Sequence, residues 1–171
     1  KLFPMARVVQ ADLRDPDSLL VGLRGQDAVY LNLSVLQHEA PGDFHTETDG
    51  LENLLPVARR LGIRRIGYLS SLVMRYQGVN GFRWWVFDVK QEAVRKLKAS
   101  GIPYTIFYPT TFMETLPAQV QAGRMLLGGS SDVRLWFVAA RDYGRQVAKA
   151  LRHPGSENCE YVVQGPEGLT Y

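Results

Sequence analysis

The sequence Gly-Ile-Arg-Arg-Ile-Gly-Tyr-Leu-Ser-Ser, at residues 62–71, is the stretch that most directly indicates the fold. Gly62 stands where a helix would end, because the residue just past a helix often needs the left-handed conformation that glycine adopts easily. Residues 66–70 follow as a short apolar run, which is typical of a buried strand. A helix that leads within a few residues into such a strand indicates a βαβ unit.

The same alternation runs along the 171 residues. The pattern predicts strands at residues 7–11, 28–33, 66–70, 103–107, 135–138 and 160–163, and helices at 16–23, 44–61, 82–100 and 141–151. Strands that alternate with helices predict right-handed crossovers and a doubly wound, mostly parallel α/β sheet. Ligands bind at the carboxyl ends of such strands. We therefore expect the loops after Ala11, Leu33, Ser70 and Phe107 to line any site.

Composition indicates one globular domain, with 46% hydrophobic and 22% charged residues. The formal charge of +3 is mildly basic, which could favour an anionic ligand but does not indicate direct nucleic-acid binding. Cys159 is the single cysteine, so the chain can form no internal disulfide and a cytoplasmic location is expected. The three histidines lack the spacing of a metal site, and no apolar run approaches the ~18 residues of a membrane span.

Polar side chains follow two of the predicted strands directly. Asp12 comes after the first strand, where its carboxylate could accept from an adenine amino group or could simply hydrogen-bond its own turn. Ser70 is the last residue of the predicted strand at residues 66–70, and Ser71 follows it. A hydroxyl there could donate to a carbonyl or a developing oxyanion, or could bond to its own backbone. The residues alone leave both alternatives open.

Lys90 is the third candidate, because it lies on the apolar stripe of its predicted helix. Val86, Lys90, Ala93 and Leu97 share one face at helical spacing. A lysine that faces the sheet could hold ribose hydroxyls or lower the pKa of a neighbouring group. Alternatively, its stem packs and its ammonium reaches water.

Two further loops bear on a site. Residues 108–113 follow a strand, and the hydroxyls and backbone donors of Thr110 and Thr111 could contact a ligand or belong to an ordinary loop. Residues 128–132, Gly-Gly-Ser-Ser-Asp, lie between strand-like segments rather than between a strand and a helix. They therefore predict a turn and not a phosphate-binding loop.

Taken in order, these stretches resemble the atypical short-chain dehydrogenases, specifically the NmrA-like group. The matching stretches are residues 11–16, 25–31, 50–55, 62–71, 100–109, 112–114, 141–143 and 165–170, with Lys90 and Glu92 between them. The resemblance covers almost the whole chain. It implies an NAD(P)-binding Rossmann-type domain whose cofactor is NADP or NAD.

The resemblance also implies roles for individual residues. Asp12 and Leu13 would lie by the adenine, and Leu33 and Ser34 by the central phosphates and ribose. Ser70 and Ser71 would occupy the position of the catalytic serine, and Lys90 would be the active-site lysine on the nicotinamide ribose. The residues expected to flank the nicotinamide are Tyr108, Pro109, Thr110 and Phe112.

Two departures shape the expected chemistry. Short-chain dehydrogenases carry an acid tyrosine four residues before the lysine, and here that position is Val86. Glu47 stands about where extended members carry a helix asparagine. We therefore expect an oxidoreductase that reduces a quinone or similar small electron-poor acceptor, with Ser71 donating to the acceptor and Lys90 binding the ribose.

Two alternatives remain beside this expectation. The first is a non-catalytic NAD(P)-binding regulator or redox sensor that works through a partner protein, and the second is a sugar-nucleotide epimerase or dehydratase. The resemblance allows a homodimer, and it does not distinguish NADP from NAD.

The resemblance further implies an incomplete domain. The family's sheet has the strand order 3-2-1-4-5-6-7, and the first two predicted strands here match strands 3 and 4, which are not neighbours. We expect this single domain, residues 1–171, to lack the first two strands with their glycine-rich turn, and the C-terminal substrate region.

Overall fold

The computed structural model describes residues 5–121, 123–125 and 133–170. In chain order, the helices are α1 (Pro16–Leu23), α2 (Asp49–Arg60), α3 (Trp85–Ala99) and α4 (Ala140–Arg152). The strands are β1 (Ala28–Leu31), β2 (Arg65–Leu69), β3 (Tyr104–Pro109), β4 (Thr111–Phe112), β5 (Val120–Gln121), β6 (Arg124–Met125), β7 (Leu135–Val138), β8 (Cys159–Val163) and β9 (Gly168–Leu169).

The main sheet has the order β1-β2-β3-β8, and all of its strands are parallel. A second small sheet has the order β4-β7-β9, in which β7 pairs parallel with β4 and antiparallel with β9. Strands β5 and β6 form a short antiparallel hairpin. This arrangement confirms the predicted doubly wound, mostly parallel α/β fold.

Helices cover the main sheet on both faces, and the two-residue alternation along β3 shows how the core divides. Ile106 and Tyr108 belong to the core beneath α1, α2 and α3, whereas Phe107 belongs to the core beneath α4. The approach of α4 is close at Gly67 of β2, where an added Cβ would lie 3.0 Å from Leu151 and from Tyr30. A side chain at this position would therefore require the Leu151 and Tyr30 side chains to shift.

Helix α1 has the predicted bounds, and α2 does not. Asp15 caps α1 by accepting from the Asp17 amide at 3.0 Å, with Pro16 at the first helical position. The prediction that α2 begins at residue 44 is wrong, because the His45 carbonyl accepts from three amides, those of residues 48–50. This turn closes the segment before the helix begins at Asp49.

The predicted strand at residues 7–11 is not formed, and these residues are exposed. In the part of the chain that is described, no strand pairs with this segment, so its apolar character alone does not order it as a strand. Tyr108 and Pro109, predicted to begin a loop, belong to β3, and residues 111–112 pair with β7 as β4. The predicted turn at residues 128–132 lies outside the described residues.

Within these described ranges, no helix combines the length and the apolar character needed to cross a membrane.

Candidate functional site

The carboxyl edge of the main sheet opens into a cleft of about 1450 Å³. The loops after β1, β2 and β3 form its walls, and α3 and α4 contribute from the two sides of the sheet. The predicted site residues that line it together are Leu33, Ser34, Ser70, Ser71, Lys90, Pro109, Thr110 and Phe112. The fold therefore brings most of the predicted nicotinamide-side residues to one place.

Lys90 lies on the buried stripe of α3, as its helical spacing predicted. Its exposed fraction is 8%, and Val86, Ala93 and Leu97 on the same stripe are also buried. The ammonium is paired rather than free, because its Nζ donates to Glu47 Oε1 at 2.8 Å. Lys90 therefore presents a paired cation to the cleft.

Glu47 is fully buried, and it is the functional candidate that sequence reasoning did not identify as a site residue. Tyr68 of β2 donates through its hydroxyl to the same oxygen, Oε1, at 2.5 Å. Burial, together with the adjacent Glu47 carboxylate, raises the pKa of Tyr68, so its hydroxyl stays a donor. Glu47 Oε2 has no hydrogen-bond partner among the described residues.

The two serines after β2 differ in burial but not in the availability of their hydroxyls. Ser70 is 1% exposed, and its amide donates to the Phe107 carbonyl at 2.8 Å. Its Oγ lacks a partner in the described chain, although it lies in the cleft wall. Ser71 is half-buried and precedes the 3₁₀ turn Leu72–Tyr76 without capping it. The alternative of turn serines bonded to their own backbone is thus not what the described residues show.

Tyr108 lies apart from the other predicted nicotinamide-side residues. Its hydroxyl donates to Glu160 Oε2 at 2.6 Å, and the Arg75 guanidinium lies 4.0 Å from its ring centroid. Strand alternation turns its side chain toward the α3 face, so it does not line the described cleft. Pro109 and Thr110 do line it, and the Thr110 amide is held by the Val163 carbonyl at 3.0 Å.

Asp12 and Leu13 line a second hollow of about 670 Å³, between the start of α1 and the loop before α2. One carboxylate oxygen of Asp12 accepts from the Arg14 amide at 2.8 Å, which is the turn bond that was the alternative to adenine binding. The Leu13 carbonyl accepts from Asn53 Nδ2 at 2.8 Å, which ties this loop to α2. The hollow is therefore preformed, and the adenine role of Asp12 and Leu13 stays a prediction.

Ser34 is the predicted phosphate-side residue with the weakest anchoring. Its hydroxyl donates to the Val35 carbonyl at 3.2 Å, and it lies exposed at the mouth of the cleft. Across residues 5–121, 123–125 and 133–170, no three His, Cys, Asp or Glu side chains are grouped so as to hold a metal ion.

Comparison with known proteins gives a consistent set of matches. A family model described as NAD(P)H-binding matches residues 3–154. The chain is 31% identical over 169 residues to the (4-alkanoyl-5-oxo-2,5-dihydrofuran-3-yl)methyl phosphate reductase of Streptomyces griseus subsp. griseus, covering 95% of this chain and 54% of that protein. It is 27% identical over 174 residues to the NAD(P)H azoreductase of Xenophilus azovorans, covering 96% of this chain and 56% of that protein.

A solved structure matches the fold. The NADPH-dependent quinone oxidoreductase of Escherichia coli, crystallised with NADPH, superposes with a TM-score of 0.71 at 22% identity, over 94% of this chain and 54% of that chain. At this identity the likeness shows the fold alone. The chain spans about half the length of the curated relatives it matches.

Proposed function

The chain belongs to the NAD(P)H-binding family of Rossmann-fold proteins, and on that premise we propose that it is a reductase that passes a hydride from NADPH or NADH to a quinone or a similar small electron-poor acceptor. The membership agrees with the expected likeness to NmrA-like short-chain dehydrogenases. The cofactor is therefore NADP or NAD. The acceptor and the roles of individual residues belong to the proposal.

The observation that carries the proposal is the pair of available donors in the cleft wall. Lys90 has three N–H donors, of which Glu47 Oε1 takes one in the described structure, and Ser70 Oγ has no partner there. Buried polar groups are normally hydrogen-bonded, so a donor left over in a cleft wall suggests a bound partner. Ribose hydroxyls and a carboxamide suit these donors, which fits the nicotinamide half of the cofactor.

The roles follow from these positions. Lys90 would donate to the nicotinamide ribose, Ser71 would donate to the acceptor oxygen, and Pro109 to Phe112 would flank the nicotinamide. The dihydronicotinamide, when bound, supplies the hydride. At the opposite end of the cofactor, Asp12 and Leu13 would contact the adenine in the second hollow.

The character of the acceptor follows from what surrounds the serines. Val73, Tyr76 and Trp136 line the same cleft, and such a wall favours a flat apolar ring. Val86 is buried and aliphatic where an acid tyrosine would be needed to protonate a simple ketone. A quinone needs no strong side-chain acid, because its reduced oxygens take protons from water once the rings are aligned. The activities named for the two relatives, an azoreductase and a reductase of an unsaturated lactone, also favour conjugated acceptors.

A steady-state assay tests the proposal. We would measure the acceptor-dependent oxidation of NADPH with a panel of benzoquinones, naphthoquinones and azo dyes, using the wild-type protein and Ser71→Ala. We expect turnover with at least one acceptor, and a fall in kcat of about tenfold or more in Ser71→Ala, as for loss of one transition-state donor. Tight NADPH binding without turnover on any acceptor would overturn the reductase proposal.

That outcome would favour the second candidate, a dinucleotide-binding regulator that acts through a partner protein. The specific observation in its favour is the same buried Val86 in the position of the acid tyrosine. A sugar-nucleotide epimerase also requires that tyrosine, so this residue argues against it.

A further inference from the structure

We propose that Glu47 is a positioning residue of this site, which holds the Lys90 ammonium at the cleft wall and thereby sets how Lys90 meets the cofactor. The inference rests on the proposed function, because it assumes that Lys90 binds the nicotinamide ribose.

The burial of Glu47 is the first observation that supports this role. Its side chain is 0% exposed, and the side chain of its partner Lys90 is 11% exposed. Burying a carboxylate without a compensating charge is costly, so the position of one group constrains the other. Glu47 therefore holds the ammonium at a defined place, 2.8 Å from Oε1.

Geometry makes this restraint relevant to ligand binding. A lysine ammonium is a compact charge on a flexible four-carbon stem. When one of its three N–H donors is fixed on Glu47, the directions of the remaining two are restricted. Lys90 lines the cleft and Glu47 does not. The two N–H donors of Lys90 that do not contact Glu47 are therefore the ones available to a ligand.

Tyr68 completes the arrangement from the sheet. Its hydroxyl donates to the same oxygen of Glu47 that Lys90 contacts. Three separate elements thus meet at one atom: the turn before α2, strand β2 and helix α3. The carboxylate is fixed by a rigid strand rather than by a loop alone, which is what precise positioning of a cation requires.

The alternative is that the pair serves only to stabilise the fold. Buried ion pairs often contribute little net stability, and apolar residues of similar volume can replace them. A stabilising role alone would change the thermal midpoint of a variant without changing how tightly the folded protein binds NADPH. The two roles are therefore separable by experiment.

The test compares Glu47→Gln with the wild type in NADPH affinity, kcat and KM for NADPH with a benzoquinone as acceptor. Gln keeps the shape but removes the negative charge. We expect kcat to fall between about tenfold and a hundredfold, and NADPH to bind several-fold more weakly, as for a misplaced positioning group. Glu47→Asp keeps the charge and should recover part of the loss.

Glu39→Gln is a matched control. Glu39 is a second carboxylate of the same loop with little exposure, since its side chain is 9% exposed. It pairs with His45 Nδ1 at 2.7 Å and does not line the cleft. We expect wild-type kinetics from this variant. Equal losses in Glu39→Gln and Glu47→Gln would overturn the proposal, because any disturbance of the loop would then suffice.

Tyr68→Phe covers the case in which Glu47→Gln does not fold, because it removes only one donor to Oε1. A smaller fall in kcat than expected for Glu47→Gln, of about threefold, together with weaker NADPH binding by the folded protein, would support positioning. The proposal would be overturned if a folded Glu47→Gln variant had the kcat and the NADPH affinity of the wild type. If Glu47→Gln does not fold, the same result in Tyr68→Phe would overturn it.

Failure of the proposed function is distinguishable from failure of this inference. If the wild type binds NADPH but reduces no acceptor, the NADPH dissociation constants of the variants still test whether Glu47 positions Lys90. Weaker binding in Glu47→Gln than in Glu39→Gln would support the positioning role, and equal binding would overturn it.

Discussion

A buried cation lies near each end of β2, Arg65 of the strand itself and Lys90 of α3, and the two clusters are built differently. At the amino end, Arg65 donates to Thr105 Oγ1 at 3.2 Å and to Glu157 Oε1 at 2.7 Å. At the carboxyl end, Lys90 reaches Glu47. The Glu157 side chain is 50% exposed, whereas the Glu47 side chain is 0% exposed. The Arg65–Glu157 pair is therefore open to water on the Glu157 side, whereas the carboxylate of the Lys90–Glu47 pair is enclosed by protein.

The difference extends to the neighbouring hydroxyls. At the amino end, the Thr105 hydroxyl is used, since it donates to the Ser156 carbonyl at 2.8 Å. At the carboxyl end, Ser70 Oγ is buried, lines the cleft and has no partner among the described residues. Arg65 Nε also has no partner among the described residues, but Arg65 lines neither the cleft nor the second hollow. The two ends therefore differ in that only the carboxyl-end cluster presents its available donors to a cleft.

The largest expected effect comes from Lys90→Met at the carboxyl end. This change leaves the Glu47 carboxylate buried without its cation, which should cost about 3 kcal/mol in the free energy of unfolding. Urea denaturation would measure this cost, and the folded fraction should bind NADPH at least about tenfold more weakly, since a charge-assisted hydrogen bond is lost. Stability equal to the wild type would mean that Glu47 is not held as a charged partner.

Arg65→Met should have an intermediate effect. Its partner Glu157 is half-exposed and can turn to water, so the loss is mainly that of the buried bond to Thr105, about 1 to 2 kcal/mol. NADPH affinity should match the wild type, because this cluster lies at the opposite edge of the sheet from the cleft. A loss of affinity as large as that of Lys90→Met would break the distinction between the two ends.

Ser70→Ala should have the smallest effect on stability, within about 0.5 kcal/mol, because the hydroxyl it removes has no partner in the described structure. NADPH affinity should nevertheless fall measurably, since the buried hydroxyl is then missing from the complex. Thermal unfolding with and without NADPH checks both statements. A variant that loses stability without NADPH, and whose affinity is unchanged, would assign Ser70 to the fold.

Part of this arrangement could be predicted from the sequence, because local periodicity encodes it. Gly62 marked the end of α2, and the spacing of Val86, Lys90 and Ala93 predicted that the lysine is buried. The pairing of Lys90 with Glu47 could not be predicted in this way, since the two residues lie 43 positions apart and meet only when α3 packs beside the start of α2. Glu47 was noticeable only as a departure from the expected asparagine.

The errors have physical causes of the same kind. Residues 7–11 have strand-like composition, but a strand forms only where a neighbour supplies backbone hydrogen bonds. Tyr108 was expected beside the nicotinamide, but β3 extends two residues further than predicted, and strand alternation turns this side chain to the opposite side. Both outcomes depend on sheet pairing, which a single stretch of sequence does not specify.

We propose that the carboxyl edge of the sheet holds the dinucleotide, and a titration with NADPH tests this most directly. The wild type, Lys90→Met and Arg65→Met would each be titrated, with tryptophan fluorescence as the signal. Trp136 lines the cleft, so a bound nicotinamide should quench its fluorescence. We predict saturable quenching in the wild type and Arg65→Met, and much weaker binding in Lys90→Met. Absence of saturable binding in the wild type, or equal affinity in all three proteins, would contradict the account.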